Sequence, residues 1–215
     1  MAGAVSTSAG SELNRYPGDP VSIKALFGGA IEMAIPNRFT DVSELREVPD
    51  HQEVYGDMNR DESIIVEILE MKSDVEDANA AAWFLDDLAS VQCAGSLELE
   101  SKRELADEEI PGLEPGIFKA LAIGKMTVAK ESQGFDARNL VRVHLVIVRL
   151  RRVATDLLIV ANEPLQINPY STTARVVGAG EPVPAAQVGL MPIPEVLETV
   201  LKSFRIDDWN LFGTD

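Results

Sequence analysis

Apolar and polar residues alternate in several short runs of this chain and recur at helical spacing in two others, with turn-forming residues between them. Folded structure is expected to begin near Ile23, where apolar residues flank the pair Gly28-Gly29 in Ala25-Leu26-Phe27-Gly28-Gly29-Ala30-Ile31. Such a pair supplies the positive φ angles of a tight hairpin turn, and Ala30 to Ile35 reads as the return strand, stopped by Pro36. Thr40 or Asp41 can cap a short helical turn through Leu45, and Pro49 disfavours helix at Val48, so the chain should leave extended. Gln52 to Tyr55 and Ser63 to Met71 read as paired strands around a charged loop, 56–62. In the second, Ile64, Val66 and Ile68 face one way and Ile65, Glu67 and Leu69 the other, the pattern of a strand covered on both faces.

Ser73 and Glu76 have capping-box spacing, and Val75, Ala78, Ala82, Leu85 and Ala89 then recur every three or four residues, which predicts a helix ending at Gly95. Residues 96–116 read as a charged connection. Ile117 to Lys130, Leu140 to Arg151 and Asp156 to Asn162 are rich in β-branched residues and read as three strands of an antiparallel meander. Residues 163–190, with four prolines and three glycines, read as a long mobile loop. A last helix starts near Pro192 or Pro194 and presents Ile193, Val196, Leu197, Val200, Leu201 and Phe204 on one face; Trp209, Leu211 and Phe212 can dock the tail. The expected fold class is α+β, an α/β/α sandwich with a central, mainly antiparallel sheet flanked by helices.

Composition narrows the function more than the fold. The 215 residues suit one domain, read as 23–215 behind a flexible leader of 1–22. Acids outnumber bases 35 to 19, a net charge of −16, which weighs against nucleic acid or an anionic membrane as a partner and favours a cationic surface. Residues 41–70 hold 10 acids and 2 bases and residues 71–110 hold 11 and 3, whereas the rest of the chain is balanced. The single cysteine excludes an intramolecular disulfide, and two histidines are too few for a Cys/His metal cluster. The longest apolar stretch, Leu140 to Leu150, carries Arg142, His144 and Arg149 and is too short to span a bilayer.

Catalytic chemistry finds little footing. His144 lies inside a strand pattern without a visible partner, so a satisfied sheet histidine outweighs a general base, and an enzyme would need a cleft bringing it within reach of a carboxylate. Cys93 ends a helix without a basic neighbour to lower its pKa, and neither glycine pair continues into a phosphate-binding pattern. Arg149, Arg151 and Arg152 read as a strand end paired with the protein's own acids, and Trp83-Phe84 as core. The acidic stretch from Ser43 to Glu70 stands apart from a solvated charge run in two respects. Glu67 sits within an apolar strand, where an ionised carboxylate is costly unless paired or covered by another molecule. Pro49 and the capped turn before it would hold several carboxylates in fixed array.

Three runs carry a resemblance to a known family: Leu26-Phe27-Gly28-Gly29-Ala30-Ile31; Leu45-Arg46-Glu47-Val48-Pro49-Asp50 with Gln52-Glu53-Val54-Tyr55; and Ser63-Ile64-Ile65-Val66-Glu67-Ile68-Leu69-Glu70. In order and spacing the chain resembles the Ran guanine nucleotide release factors over roughly residues 24–212. The resemblance implies a PsbP-like fold and a protein that binds the small GTPase Ran, promotes loss of its guanine nucleotide and supports nuclear import, without catalytic residues, cofactor or metal. It implies a monomer of nucleus and cytoplasm that binds neither nucleic acid nor membrane. The carboxylates matching the family's Ran-binding surface are Glu67 and Glu70, with Asp41, Glu44, Glu47, Asp50 and Glu53 beside them and Arg46 ordering them by ion pairing. The alternative is a PsbP-like binding module with a different partner and no nucleotide-release activity.

Overall fold

A computed structural model describes residues 15–129 and 134–213. Seven antiparallel strands form one sheet in the order β3-β4-β5-β9-β8-β7-β6. They are β3 (Thr40–Asp41), β4 (Gln52–Asp57), β5 (Glu62–Glu70), β6 (Leu97–Glu104), β7 (Phe118–Val128), β8 (Asn139–Leu150) and β9 (Thr155–Gln166). The sheet's two faces follow from the alternation of side chains along each strand. On one face, α1 (Asp77–Val91) lays Ala80, Ala81, Phe84, Leu85 and Ala89 over Ala122, Val143, Leu145, Ile147 and Val160. Gly124 permits that approach, because a Cβ there would lie 2.8 Å from a Leu85 methyl and 2.9 Å from the Glu98 carbonyl. On the other face, α2 (Ile193–Ser203) and a second sheet pack Val196, Val200, Phe204, Met33 and Ile35 over Ile64, Val66, Val146, Val148 and Ile159. That second sheet is β1 (Val21–Leu26), β2 (Ile31–Pro36) and the short β10 (Arg205–Ile206).

The expected sandwich and the β7-β8-β9 meander are present, and Gly28 and Gly29 turn the β1–β2 hairpin at φ of 68° and 95°. Several local expectations differ. Helix α1 begins at Asp77 rather than Ser73, and Glu76 is its N-cap without a side-chain cap bond. Its C-terminal left-handed residue is Cys93, at φ 50°, not Gly95; the Ala94 amide closes back on the Ala89 carbonyl. Its buried face includes Ala80, Ala81 and Phe84 in place of Ala78 and Ala82. Residues 97–104, expected as connection, form edge strand β6. Seven of its eight residues are exposed, so an edge guarded by charge shows no alternation for a pattern search to find.

Strand β9 runs to Gln166, four residues into the segment expected as a loop from 163. Beyond it, short 3-10 turns at Thr172–Arg175 and Ala185–Val188 are tied to the body. Asn139 donates to Ser171 at 3.1 Å, and Thr173 donates to Asp61 at 2.9 Å. Residues 1–14 of the expected leader lie outside the described residues, but β1 begins at Val21, ahead of Ile23, and Asp19 is buried.

Asp19 is buried because Arg38 holds it. Arg38, its side chain only 10% exposed, donates to Asp19 at 2.9 Å, to Asp57 at 2.8 Å, to Glu62 and to the Met191 carbonyl at 2.8 Å. Burial works against the guanidinium's charge, and Glu62, Asp57 and Asp19 more than offset it, so its pKa is raised. Arg60 adds a second donor to Glu62 at 2.9 Å. One side chain thereby joins the segment before β1, the β4–β5 hairpin and the entrance to α2.

His144, on β8, is 4% exposed, and its Nε2 has no hydrogen-bond partner among the described residues. Burial, reinforced by Arg142 and opposed by Glu100, lowers its pKa to about 4.

Two predictions follow from these buried groups. Arg38→Ala should cost about 3–5 kcal/mol in urea unfolding at neutral pH, because Asp19 and Asp57 lose their cationic partner inside the protein and Glu62 keeps only Arg60; Arg38→Lys should recover part of this. For His144, an unfolded pKa near 6.5 and a lower folded value make its contribution full above about pH 6.5 and lost as pH falls toward 4. His144→Leu should therefore lessen the fall in stability between pH 7 and pH 5 by about 2 kcal/mol.

Candidate functional site

The ten acids between residues 41 and 70 separate by what they touch. Three turn inward: Asp57 and Glu62 to Arg38, and Asp61 to Thr173. Three serve the local structure at the surface. Asp41 accepts from the Ser43 amide at 2.8 Å and so caps the 3-10 turn Val42–Glu44. Glu53 accepts from the Phe27 amide at 2.6 Å, fastening the β1–β2 turn to β4. Glu67 accepts from the Gln52 side chain at 2.7 Å and lies 3.5 Å from His51 Nε2. The remaining four, Glu44, Glu47, Asp50 and Glu70, are exposed, and among the described residues none of their carboxylates has a hydrogen bond or ion pair.

Local sequence sets this arrangement. The turn capped by Asp41 carries Glu44 and leads into an extended stretch through Pro49, from which Gln52 enters β4. Pairing of β4 with β5 places Gln52 opposite Glu67 and Glu53 opposite Val66, and the Ile68 amide still bonds the His51 carbonyl beyond the strand's end. Glu70 closes β5 at the same end of the sheet as the start of β4. Leu45, which follows Glu44 in the chain, is 65% exposed.

Tyr55 marks the inner border of the group. It is buried, pairs with Asp41 on β3, and its pKa is pushed up to about 12 by burial and then by Glu53 and Asp41. Both acids lie near enough to act on its hydroxyl, a neighbourhood that sequence reasoning did not assign to it. The signal was its place in strand alternation beside Glu53.

The structure brings the expected residues to one edge of the large sheet, but it does not give them one role. Glu67 and Glu70 point to opposite faces of β5, with Ile65 and Leu69 beside the first and Ile68 on the side of the second. Glu67 has a side chain 19% exposed and is paired, whereas Glu70 is open. Arg46 is exposed and has no ion pair among the described residues, so the ordering role expected of it is taken instead by the Asp41 cap, Pro49 and the Gln52 to Glu67 bond. What remains is a set of four exposed, uncompensated carboxylates on the turn before β4 and at the end of β5. Such a set is suited to a basic protein surface.

Comparison with known proteins gives this edge a context. Residues 24–164 match the family model described as Ran-interacting Mog1 protein. The chain is 34% identical over 192 residues to the probable Ran guanine nucleotide release factor of Dictyostelium discoideum, an alignment covering 88% of this chain and 95% of that protein. It is 35% identical over 193 residues to the Ran guanine nucleotide release factor of Danio rerio, covering 88% and 99%. The crystal structure of the Saccharomyces cerevisiae Ran-binding protein Mog1p superposes with a TM-score of 0.61 at 24% identity, over 91% of this chain and 100% of that one. At that identity the likeness speaks for the fold.

The partition of the acids predicts unequal costs of charge reversal. Glu70→Lys should change unfolding free energy by less than about 0.5 kcal/mol. Glu67→Lys should cost about 1–2 kcal/mol, since it strands the Gln52 donor and sets an ammonium in a partly buried place. Urea unfolding of the two single variants at neutral pH reads the difference.

Proposed function

The chain belongs to the Ran-interacting Mog1 family, and from that membership we propose that it binds the GTPase Ran through the acidic edge and promotes release of Ran's guanine nucleotide in support of nuclear import. The observation that carries the site assignment is the set of four exposed, unpartnered carboxylates, Glu44, Glu47, Asp50 and Glu70, held in place by the other acids of the same segment. In this reading Glu67, Asp41 and Glu53 act through position: they fix the turn and the β4–β5 pair from which the free carboxylates project. Arg46 lies among them and contributes a donor to acids of the partner.

Nucleotide release follows from differential binding. A partner that holds loaded and empty Ran equally shifts no equilibrium, so this surface must engage empty Ran more tightly. Carboxylates achieve this by taking up basic groups that the departing nucleotide leaves unpaired. Nothing in that scheme needs a catalytic side chain, a cofactor or a metal; the chain acts by binding. The net charge of −16 supports a partner with a basic face and speaks against nucleic acid. No described helix is long and apolar enough to cross a membrane. Action as a monomer, in both nucleus and cytoplasm, completes the reading.

The test is release of a fluorescent guanine nucleotide from Ran. The triple variant Glu47→Lys, Asp50→Lys, Glu70→Lys should lose at least about tenfold in affinity for Ran and in release rate, since three charge contacts turn repulsive. Its thermal midpoint should stay near that of the parent chain. The association rate of the parent should fall as salt rises, with little change in the dissociation rate. Release at the parent rate by the triple variant would contradict the site, and no release by the parent chain would contradict the function.

A further inference from the structure

The second block of acidic excess, residues 71–110, takes no part in the site described above, and it includes an open edge of the large sheet. The sheet ends at β6, which pairs with β7 and meets no other strand among the described residues; the opposite edge, β3, is two residues long. The Leu105 amide donates inward to the Lys119 carbonyl. By the alternation of an antiparallel ladder, Arg103 and Ser101 also turn to β7, while Lys102 and Glu104 direct their N–H and C=O groups outward. Among the described residues no hydrogen bond outside the β6–β7 ladder uses either amide, and the Glu104 carbonyl meets only the Arg103 guanidinium, at 3.3 Å. Ser101–Glu104 is the regular length of this edge. Leu99, 46% exposed, lies beyond it across a shift in register.

Charge selects what such an edge accepts. Glu100 is already paired with Lys125 and Arg142, and Arg103 with Glu109. Glu98 and Glu104 are exposed, and among the described residues their carboxylates have no hydrogen bond or ion pair. Asp86, equally exposed and unpaired, joins them from α1. It comes two helical turns after Asn79, on the same side of the helix, and Asn79 Oδ1 lies 3.4 Å from Lys102 Nζ on β6. Lys102 is the one cation of this edge not tied to a carboxylate, and its ammonium is shared between Asn79 and the Ala78 carbonyl at 3.3 Å.

Three carboxylates against one ammonium repel a second copy of the same edge and attract a strand of opposite charge. We propose that β6 is the docking edge for a basic, extended peptide segment. The segment adds a strand to the large sheet along Ser101–Glu104, bonding the outward N–H and C=O groups of Lys102 and Glu104. Its lysine or arginine side chains lie beside Glu98, Glu104 and Asp86, and an apolar one beside Leu99. The inference stands independently of Ran, since β6 and the β4–β5 pair stand toward opposite edges of the sheet and can be occupied together.

The test uses the full chain and a fluorescently labelled, acetylated and amidated octapeptide of alternating lysine and valine, followed by anisotropy at physiological ionic strength. Saturable binding is expected, weakened about tenfold for the same peptide with every backbone amide N-methylated, which keeps the charge and removes the donors. The double variant Glu98→Lys, Glu104→Lys should weaken it by a similar factor at an unchanged thermal midpoint. Hydrogen–deuterium exchange should show the Lys102 and Glu104 amides slowed by the peptide and residues 44–53 unaffected. No saturation at millimolar peptide, or indifference to the double substitution, would overturn the site. Equal binding of the N-methylated peptide would reduce it to attraction by net charge, and protection at 44–53 in place of 101–104 would move the peptide to the other edge. A dimer of the parent chain that the peptide dissociates would assign β6 to a second copy and overturn the choice of occupant.

Discussion

One guanidinium with a tenth of its side chain exposed compensates three carboxylates that the fold takes out of water. Arg38 lies just after β2, and its partners come from the segment before β1, from the two sides of the β4–β5 turn and from Met191, just ahead of the Pro192 N-cap of α2. Without it these pieces would bring Asp19, Asp57 and Glu62 together with only Arg60, on Glu62, to offset their charge, and a buried uncompensated charge costs more than the contacts around it return. The small sheet, the large sheet and α2 meet where they do because Arg38 makes that meeting electrostatically tolerable.

The same interaction shapes the surface. An excess of acids in residues 41–70 resembles, by composition alone, a uniform charged coat. In the structure it is sorted: Arg38 and Thr173 draw three acids inward, backbone amides and Gln52 occupy three more, and four are left over. Those four are not ordered by ion pairs with each other's neighbours, as the presence of Arg46 suggested. They are ordered by the scaffold beneath them, which leaves their charge available to a partner. A surface whose acids were internally neutralised would solubilise the protein and attract nothing.

Much of this was legible in the sequence, for a definable reason. Strands covered on both faces, such as β5, β8 and β9, are long runs of β-branched and aliphatic residues, and α2 shows its apolar stripe at helical spacing. Elements whose stability comes from elsewhere were not legible. Strand β6 is an exposed edge held by hydrogen bonds to β7, and β10 is two residues long. The end of α1 turned on Cys93, a residue without the left-handed preference of glycine. At the site, residue types and spacing singled out the acidic segment, and the alternation of β5 already implied that Glu67 and Glu70 face opposite ways. Which acids were free was not legible, because Arg38, Phe27, Gln52 and Thr173, which claim five of the others, are distant in sequence; only the capping role of Asp41 was local. The strand-end arginines were legible as a group: Arg149, Arg151 and Arg152 all pair with the protein's own acids, as expected, though which acids was not.

The central claim is that Glu44, Glu47, Asp50 and Glu70 form the contact surface for Ran while the acids beside them remain structural. Hydrogen–deuterium exchange of the chain alone and bound to nucleotide-free Ran addresses it residue by residue. The account predicts that binding protects residues 44–53 and 67–71 and leaves the amides around Arg38, Asp57 and Glu62 at their already slow rates. Protection concentrated on α1 or on residues 167–190, with 44–50 unchanged, would contradict it.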